Sequence, residues 1–74
     1  MTSIITYEQM KNFYEEFKKN PPKDEFSRCY TEYSYAKSLI DFAKQQNLKE
    51  DILKYEQIQK KAVEQLQNLG YRFV

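Results

Sequence analysis

Between residues 7 and 19, four apolar positions recur at intervals of three and four residues, which is the spacing of one face of a helix. They are Met10, Phe13, Tyr14 and Phe17. Thr6 precedes them and Gln9 follows three residues later, the signature of a capping box at a helix start. Pro21 and Pro22 stop the pattern, because proline lacks an amide donor and disfavours helical geometry in the residue before it. The pattern predicts a first helix over residues 7–19.

Two longer stripes with the same period follow the prolines. One contains Phe26, Cys29, Tyr30, Tyr33, Ala36, Ile40 and Ala43. The other contains Leu48, Ile52, Tyr55, Ile58, Ala62, Val63, Leu66 and Leu69. Asp24 or Ser27 is a suitable N-cap for the first stripe, since either side chain can accept a hydrogen bond from an amide of the first turn. The stripes predict helices over residues 25–46 and 48–69.

Two short segments predict how these helices end. Asn47 and Glu50 fit a second capping box, in which Asn47 ends one helix and starts the next, so that a very short turn joins an antiparallel hairpin. Gly70, the only glycine, follows the last periodic residue, where a left-handed residue commonly ends a helix. We therefore expect Tyr71 to fold back on Leu66.

Together the three helices predict an all-α fold. The expected architecture is a three-helix bundle with a short first helix and a long hairpin of helices 2 and 3. A chain of 74 residues predicts a single domain, 1–74, which ends in a short tail over residues 71–74. We expect a modest free energy of unfolding, about 5 kcal/mol.

Four apolar side chains lie off these stripes: Tyr35, Leu39, Phe42 and Leu53. In a hairpin that turns at Asn47, Phe42 and Leu53 come to about the same level, so the four predict one apolar patch that contacts a partner. Alternatively, helix 2 lies centrally and needs a wide apolar arc because it touches both neighbours, and Leu53 caps the same layer. We expect Phe42→Ser to leave the fold intact and to weaken self-association or partner binding.

The residue inventory favours contact surface over catalysis. Seven Tyr and five Phe stand beside no His, no Trp, one Cys and one Gly. Tyrosine supplies a large contact area at low rotamer cost and keeps a hydroxyl for a polar partner, so it is favoured in interfaces. Tyr71 and Phe73 are second candidates for partner contact.

Catalytic and metal-binding signals are weak. Without histidine, general acid–base catalysis would fall to carboxylates, Tyr or Lys. Cys29 lies on the apolar face of helix 2, where we expect a small buried side chain and no nucleophile. The adjacent carboxylates, Glu15 with Glu16 and Glu50 with Asp51, point in different directions on a helix and do not complete a coordination sphere. We expect no enzyme, no metal and no cofactor.

The charge of the chain is almost balanced, at a formal net +1. The richest basic segment contains Lys18, Lys19, Lys23 and Arg28, and it offers an alternative function as a nucleic-acid-binding regulator. Nearby acidic residues dilute it, so nucleic acid is the less favoured partner. No apolar run approaches the ~20 residues of a membrane span, and residues 1–10 lack the basic start of a secretory signal. We expect a cytoplasmic protein without membrane contact.

These observations predict a small non-catalytic protein–protein interaction module, which binds a larger protein or assembles with itself as a homodimer. In size and class the chain resembles the small helical proteins that phages, plasmids and bacteriocin loci encode as inhibitors, adaptors or immunity factors. Its frequent Lys, Asn, Ile and Tyr are typical of an AT-rich gene, as in a low-GC bacterium or its phage. Salt dependence of binding separates this function from the nucleic-acid alternative.

Overall fold

A computed structural model describes residues 5–72 and contains three helices there. They are α1 (Tyr7–Lys19), α2 (Glu25–Gln45) and α3 (Lys49–Asn68). These bounds agree with the predicted ones to within one residue. The α2 and α3 helices contact each other extensively, and the shorter α1 packs mainly against α2. The predicted all-α three-helix bundle, with a long α2–α3 hairpin, is therefore confirmed.

The N-terminal caps of the first two helices follow the sequence signals. The amide of Gln9 donates to Thr6 Oγ1 at 3.1 Å, and the amide of Thr6 donates to Gln9 Oε1 at 3.0 Å, so the predicted capping box is present. At the start of α2, the amide of Ser27 donates to Asp24 Oδ2 at 2.8 Å. Asp24 is therefore the N-cap, and Ser27 is not.

The turn between α2 and α3 differs from the prediction. Asn47 has a φ of 59° and lies in the left-handed position that ends α2, where the amide of Leu48 donates to the carbonyl of Ala43 at 2.9 Å. The N-cap of α3 is Leu48, and it makes no side-chain cap hydrogen bond. The predicted capping box from Asn47 to Glu50 is wrong, because an N-cap residue needs a backbone outside the left-handed region and Asn47 already uses that conformation to end α2.

The end of α3 has the predicted form. Gly70 has a φ of 95°, and its amide donates to the carbonyl of Gln67 at 3.0 Å. The amide of Tyr71 donates to the carbonyl of Leu66 at 2.9 Å, so the chain folds back as expected. These two hydrogen bonds satisfy carbonyls that the last turn of a helix leaves free.

The core lies between the α2–α3 hairpin and one face of α1. Its main cluster of buried side chains consists of Tyr7, Tyr14, Leu39, Ile40, Ala43 and Tyr55. Further along the hairpin, small side chains at Cys29, Ala36 and Ala62 have no exposed surface. Small residues at these positions let the backbones of α2 and α3 approach closely.

Candidate functional site

The four residues predicted to form a patch beside the turn do not lie on one surface. Leu39 is 0% exposed and belongs to the core, while Tyr35 and Phe42 are partly buried and pack against it. Leu53 is 62% exposed and lies on the face of α3 opposite the buried Tyr55. The predicted patch is therefore wrong in its geometry.

The reason is that α1 covers this side of α2. The rings of Phe42 and Tyr7 stack with centroids 6.0 Å apart, and Tyr35 contacts Tyr14 at 5.9 Å and Phe17 at 5.5 Å. The alternative interpretation, a central α2 with a wide apolar arc, describes three of the four residues. Leu39 has no surface through which to contact a partner while the bundle is folded.

A second group of aromatic side chains is exposed instead. It lies where α2 begins and α3 ends, and we call it the aromatic cluster: Phe26, Tyr30, Tyr33 and Tyr71. The ring of Tyr30 is 6.0 Å from that of Phe26, 6.2 Å from that of Tyr33 and 5.8 Å from that of Tyr71. The fourth contact joins Phe26 to Tyr71 at 5.5 Å. Phe26 is 40% exposed and Tyr30 is 39% exposed, while Tyr33 and Tyr71 are partly buried, so the cluster presents two of its rings to solvent.

The sequence identified only part of this cluster. Tyr71 was predicted as a partner contact, and Phe73 lies outside the described residues. The sequence pattern assigns Phe26 and Tyr30 to the apolar stripe of α2 and predicts that Tyr30 and Tyr33 flank the core, since Tyr30 lies about 100° around the helix from Cys29. That angular distance is a signal in the sequence that Tyr30 sits at the margin of the core.

A shallow groove of about 390 Å³ adjoins the aromatic cluster. Its lining residues are Met10, Tyr30, Thr31, Ser34, Tyr35 and Ser38. Tyr30 belongs to both features, so the exposed aromatic surface continues into the groove between α1 and α2. The hydroxyl groups along the groove can donate or accept hydrogen bonds.

The contacts of α1 depend on two tyrosines that lie seven residues apart. Tyr7 Oη donates to Asp51 Oδ2 of α3 at 2.8 Å, and Tyr14 Oη donates to Glu32 Oε2 of α2 at 3.2 Å. Burial, together with the hydrogen bond to Asp51, raises the pKa of Tyr7 well above its ordinary value. Burial, together with the negative charge of Glu32, raises the pKa of Tyr14 in the same direction. Both phenols are therefore held in their neutral, hydrogen-donating form.

The surroundings of these two tyrosines are alike. Lys11 Nζ lies 4.6 Å from the ring centre of Tyr7, and Lys18 Nζ lies 4.9 Å from that of Tyr14. Each lysine also pairs with the glutamate that follows the tyrosine, at 3.5 Å for Glu8 and 3.0 Å for Glu15. One arrangement of tyrosine, glutamate and lysine thus occurs in both halves of α1.

The basic segment of the alternative function is partly neutralised. Lys18 pairs with Glu15, and Arg28 lies 4.0 Å from Glu25. Lys19 and Lys23 are exposed. The segment therefore presents a mixed surface and not a continuous positive stripe that would track a phosphate backbone.

The remaining chemistry of the described residues is limited. Cys29 is fully buried, as expected, and its thiol donates to Gln65 Oε1 at 3.5 Å. Between residues 5 and 72, no group of three or more His, Cys, Asp or Glu side chains is arranged to hold a metal ion. Within the same residues, no helix has the length and apolar character to cross a membrane.

Comparison of the chain with models of known protein families, with curated proteins and with solved structures gives no match. The candidate site therefore stands on its own geometry.

Proposed function

We propose that the protein is a non-catalytic protein-binding module and that the aromatic cluster is its contact surface. The observation that carries this proposal is the joint exposure of Phe26 and Tyr30 within a set of four touching rings. Rings that support one another are already ordered before binding, so a partner covers them at a small cost in side-chain entropy. Aromatic anchors of this kind carry much of the binding energy in interfaces.

The groove beside the cluster supports the same proposal. Its lining combines the aromatic residue Tyr30 with the hydroxyl-bearing residues Thr31, Ser34 and Ser38. An apolar centre with polar groups around it is the usual composition of a protein interface. The absence of histidine from the sequence and the burial of Cys29 favour binding over catalysis.

The test compares two surface variants of the full chain. We expect Phe26→Ser combined with Tyr30→Ser to weaken partner binding by about tenfold or more, because truncating interface anchors commonly costs more than 1 kcal/mol each. Leu53→Ser is the matched control, since Leu53 is more exposed but lies alone on the far face of α3. Affinity capture from the native host, with light scattering for self-association, measures both variants.

A circular dichroism melt confirms that each variant is folded, and the single change Tyr30→Ser replaces the double variant if the latter loses helicity. Equal capture by the wild type, the double variant and the Leu53→Ser control would remove the aromatic cluster as the contact surface. Loss of binding with Leu53→Ser alone would transfer the site to the outer face of α3.

A further inference from the structure

The first helix approaches α2 closely but reaches α3 only through its side chains. No Cα atom of Tyr7–Lys19 comes within 8 Å of a Cα atom of Lys49–Asn68. Contact between the two helices is made by the long side chain of Tyr7, which reaches Asp51, and by the ring of Tyr14, whose centre lies 6.3 Å from that of Tyr55. An element held in this way opens at a lower free energy than the hairpin beneath it.

The surface under α1 is complementary to that helix. We call it the α1-binding face, and it consists of Glu32, Tyr35, Phe42, Asp51 and Tyr55. Three of these residues provide aromatic rings that contact α1, and the other two provide carboxylates that accept its tyrosine hydroxyls. The two acceptors match phenols that are seven residues, or about two turns, apart on one helix face.

The link between α1 and α2 keeps the two helices separate. It spans residues 20–24 and contains Pro21 and Pro22, so α1 and α2 cannot merge into one continuous helix. Departure of α1 uncovers the core side chains that it packs against, among them Leu39 and Ile40, so the vacated face has to be covered again.

We propose that the α1-binding face is a docking site for α1 of a second copy, so that two chains exchange their first helices. The second copy is the occupant that fits because its α1 carries the same two tyrosines and makes in trans the contacts that the structure shows in cis. The exchange is tested separately from the aromatic cluster, although Tyr35 lies both in the α1-binding face and in the groove beside that cluster. The tethered helix competes at an effective concentration on the order of 1 mM, so exchange needs a high protein concentration or a weakened cis helix.

The test uses a fluorescent synthetic peptide of residues 5–20 and the full chain. In the chain, Tyr7→Phe combined with Tyr14→Phe removes both hydroxyl donors and keeps the rings, so the cis helix is weakened. The wild-type peptide still carries both hydroxyls. We expect it to bind this chain variant about tenfold or more tightly than it binds the wild-type chain, because each hydrogen bond to a carboxylate contributes to the competition.

Two controls and one substitute variant accompany this measurement. A peptide with Phe at positions 7 and 14 should gain much less affinity for the double variant. The chain variant Phe13→Ala, whose side chain is 48% exposed, should bind the wild-type peptide as the wild-type chain does. If the double variant loses helicity, Tyr14→Phe alone gives the same comparison.

Sedimentation equilibrium tests the second copy directly. We expect a dimer at a protein concentration of about 1 mM, and we expect it to persist in the Phe26→Ser, Tyr30→Ser variant, which separates it from association through the aromatic cluster. A wild-type chain that stays monomeric under these conditions overturns the exchange. So does a peptide that binds neither chain, or that binds both with equal affinity.

Discussion

One aromatic contact joins the last third of α2 to the first turn of α1. Phe42 is partly buried and stacks on Tyr7 with a ring separation of 6.0 Å and an interplanar angle of 26°. Tyr7 in turn is held by its hydrogen bond to Asp51. Phe42 therefore supports a residue that connects all three helices, and its role is structural in the folded chain.

At this scale the Phe42→Ser substitution gives a clear prediction. The sequence predicts that this substitution leaves the fold intact, whereas the structure predicts a loss of stability. The substitution removes a ring from the margin of the core and leaves a hydroxyl beside Tyr7. We expect a loss of about 2 kcal/mol in the free energy of unfolding, less than for a fully buried phenylalanine. Leu53→Ser should change it by no more than about 0.5 kcal/mol, since Leu53 is exposed and alone. Urea unfolding followed by circular dichroism measures both, and equal losses would contradict this assignment.

At the scale of the element, α1 and the α2–α3 hairpin have different supports. The hairpin is closed by small buried side chains, among them Cys29, Ala36 and Ala62, that have no exposed surface. The first helix depends on aromatic side chains and two hydroxyl–carboxylate hydrogen bonds. Regions with less buried apolar contact open locally before the whole molecule unfolds.

Hydrogen exchange of backbone amides should resolve this difference. We expect the amides in the middle of α1, around Met10 to Tyr14, to exchange at least about tenfold faster than those around Ala62 in α3, because α1 opens without global unfolding. Mass spectrometry of peptides from the exchanged chain provides the measurement. Equal protection of α1 and α3 would mean that the three helices open as one unit.

The elements were predictable from the sequence, and their mutual arrangement was less so. Caps such as Thr6 with Gln9 and Asp24 with Ser27 involve residues three positions apart, so local pattern reveals them. The bond from Tyr7 to Asp51 joins residues 44 positions apart, and periodicity carries no information about it. The side of α2 that α1 covers is also set by tertiary packing, which the local pattern does not reveal. Phe42 is partly buried because it lies on that side.

At the scale of the whole molecule, the aromatic residues divide into two groups with different roles. The group that contains Tyr7, Tyr14 and Phe42 holds α1 on the hairpin. The aromatic cluster, with Phe26 and Tyr30 at its exposed surface, lies outside that contact. If the aromatic cluster binds a partner as we propose, the group around Tyr7 can maintain the fold at the same time.

The first of these groups makes the stability of the molecule sensitive to alkaline pH. Both Tyr7 and Tyr14 have a pKa raised above the ordinary 10.0, chiefly by burial. The ionisable groups around them are Asp51, Glu32, Tyr55, Glu15, Lys11 and Lys18. A raised tyrosine pKa means that the native state keeps a proton that the unfolded chain releases. The stabilisation that each raised pKa gives to the native state is complete below about pH 10, and it is lost as the pH rises further.

We therefore expect the free energy of unfolding to fall above about pH 10 by up to roughly 1.4 kcal/mol per pH unit for each of the two tyrosines. In the Tyr7→Phe, Tyr14→Phe variant this decline should be clearly shallower, although the variant is less stable near neutral pH. Urea unfolding of both proteins at a series of pH values gives the two slopes. Parallel slopes would show that the alkaline loss arises from other groups, whereas a shallower slope in the variant ties it to the two phenols that hold α1 in place.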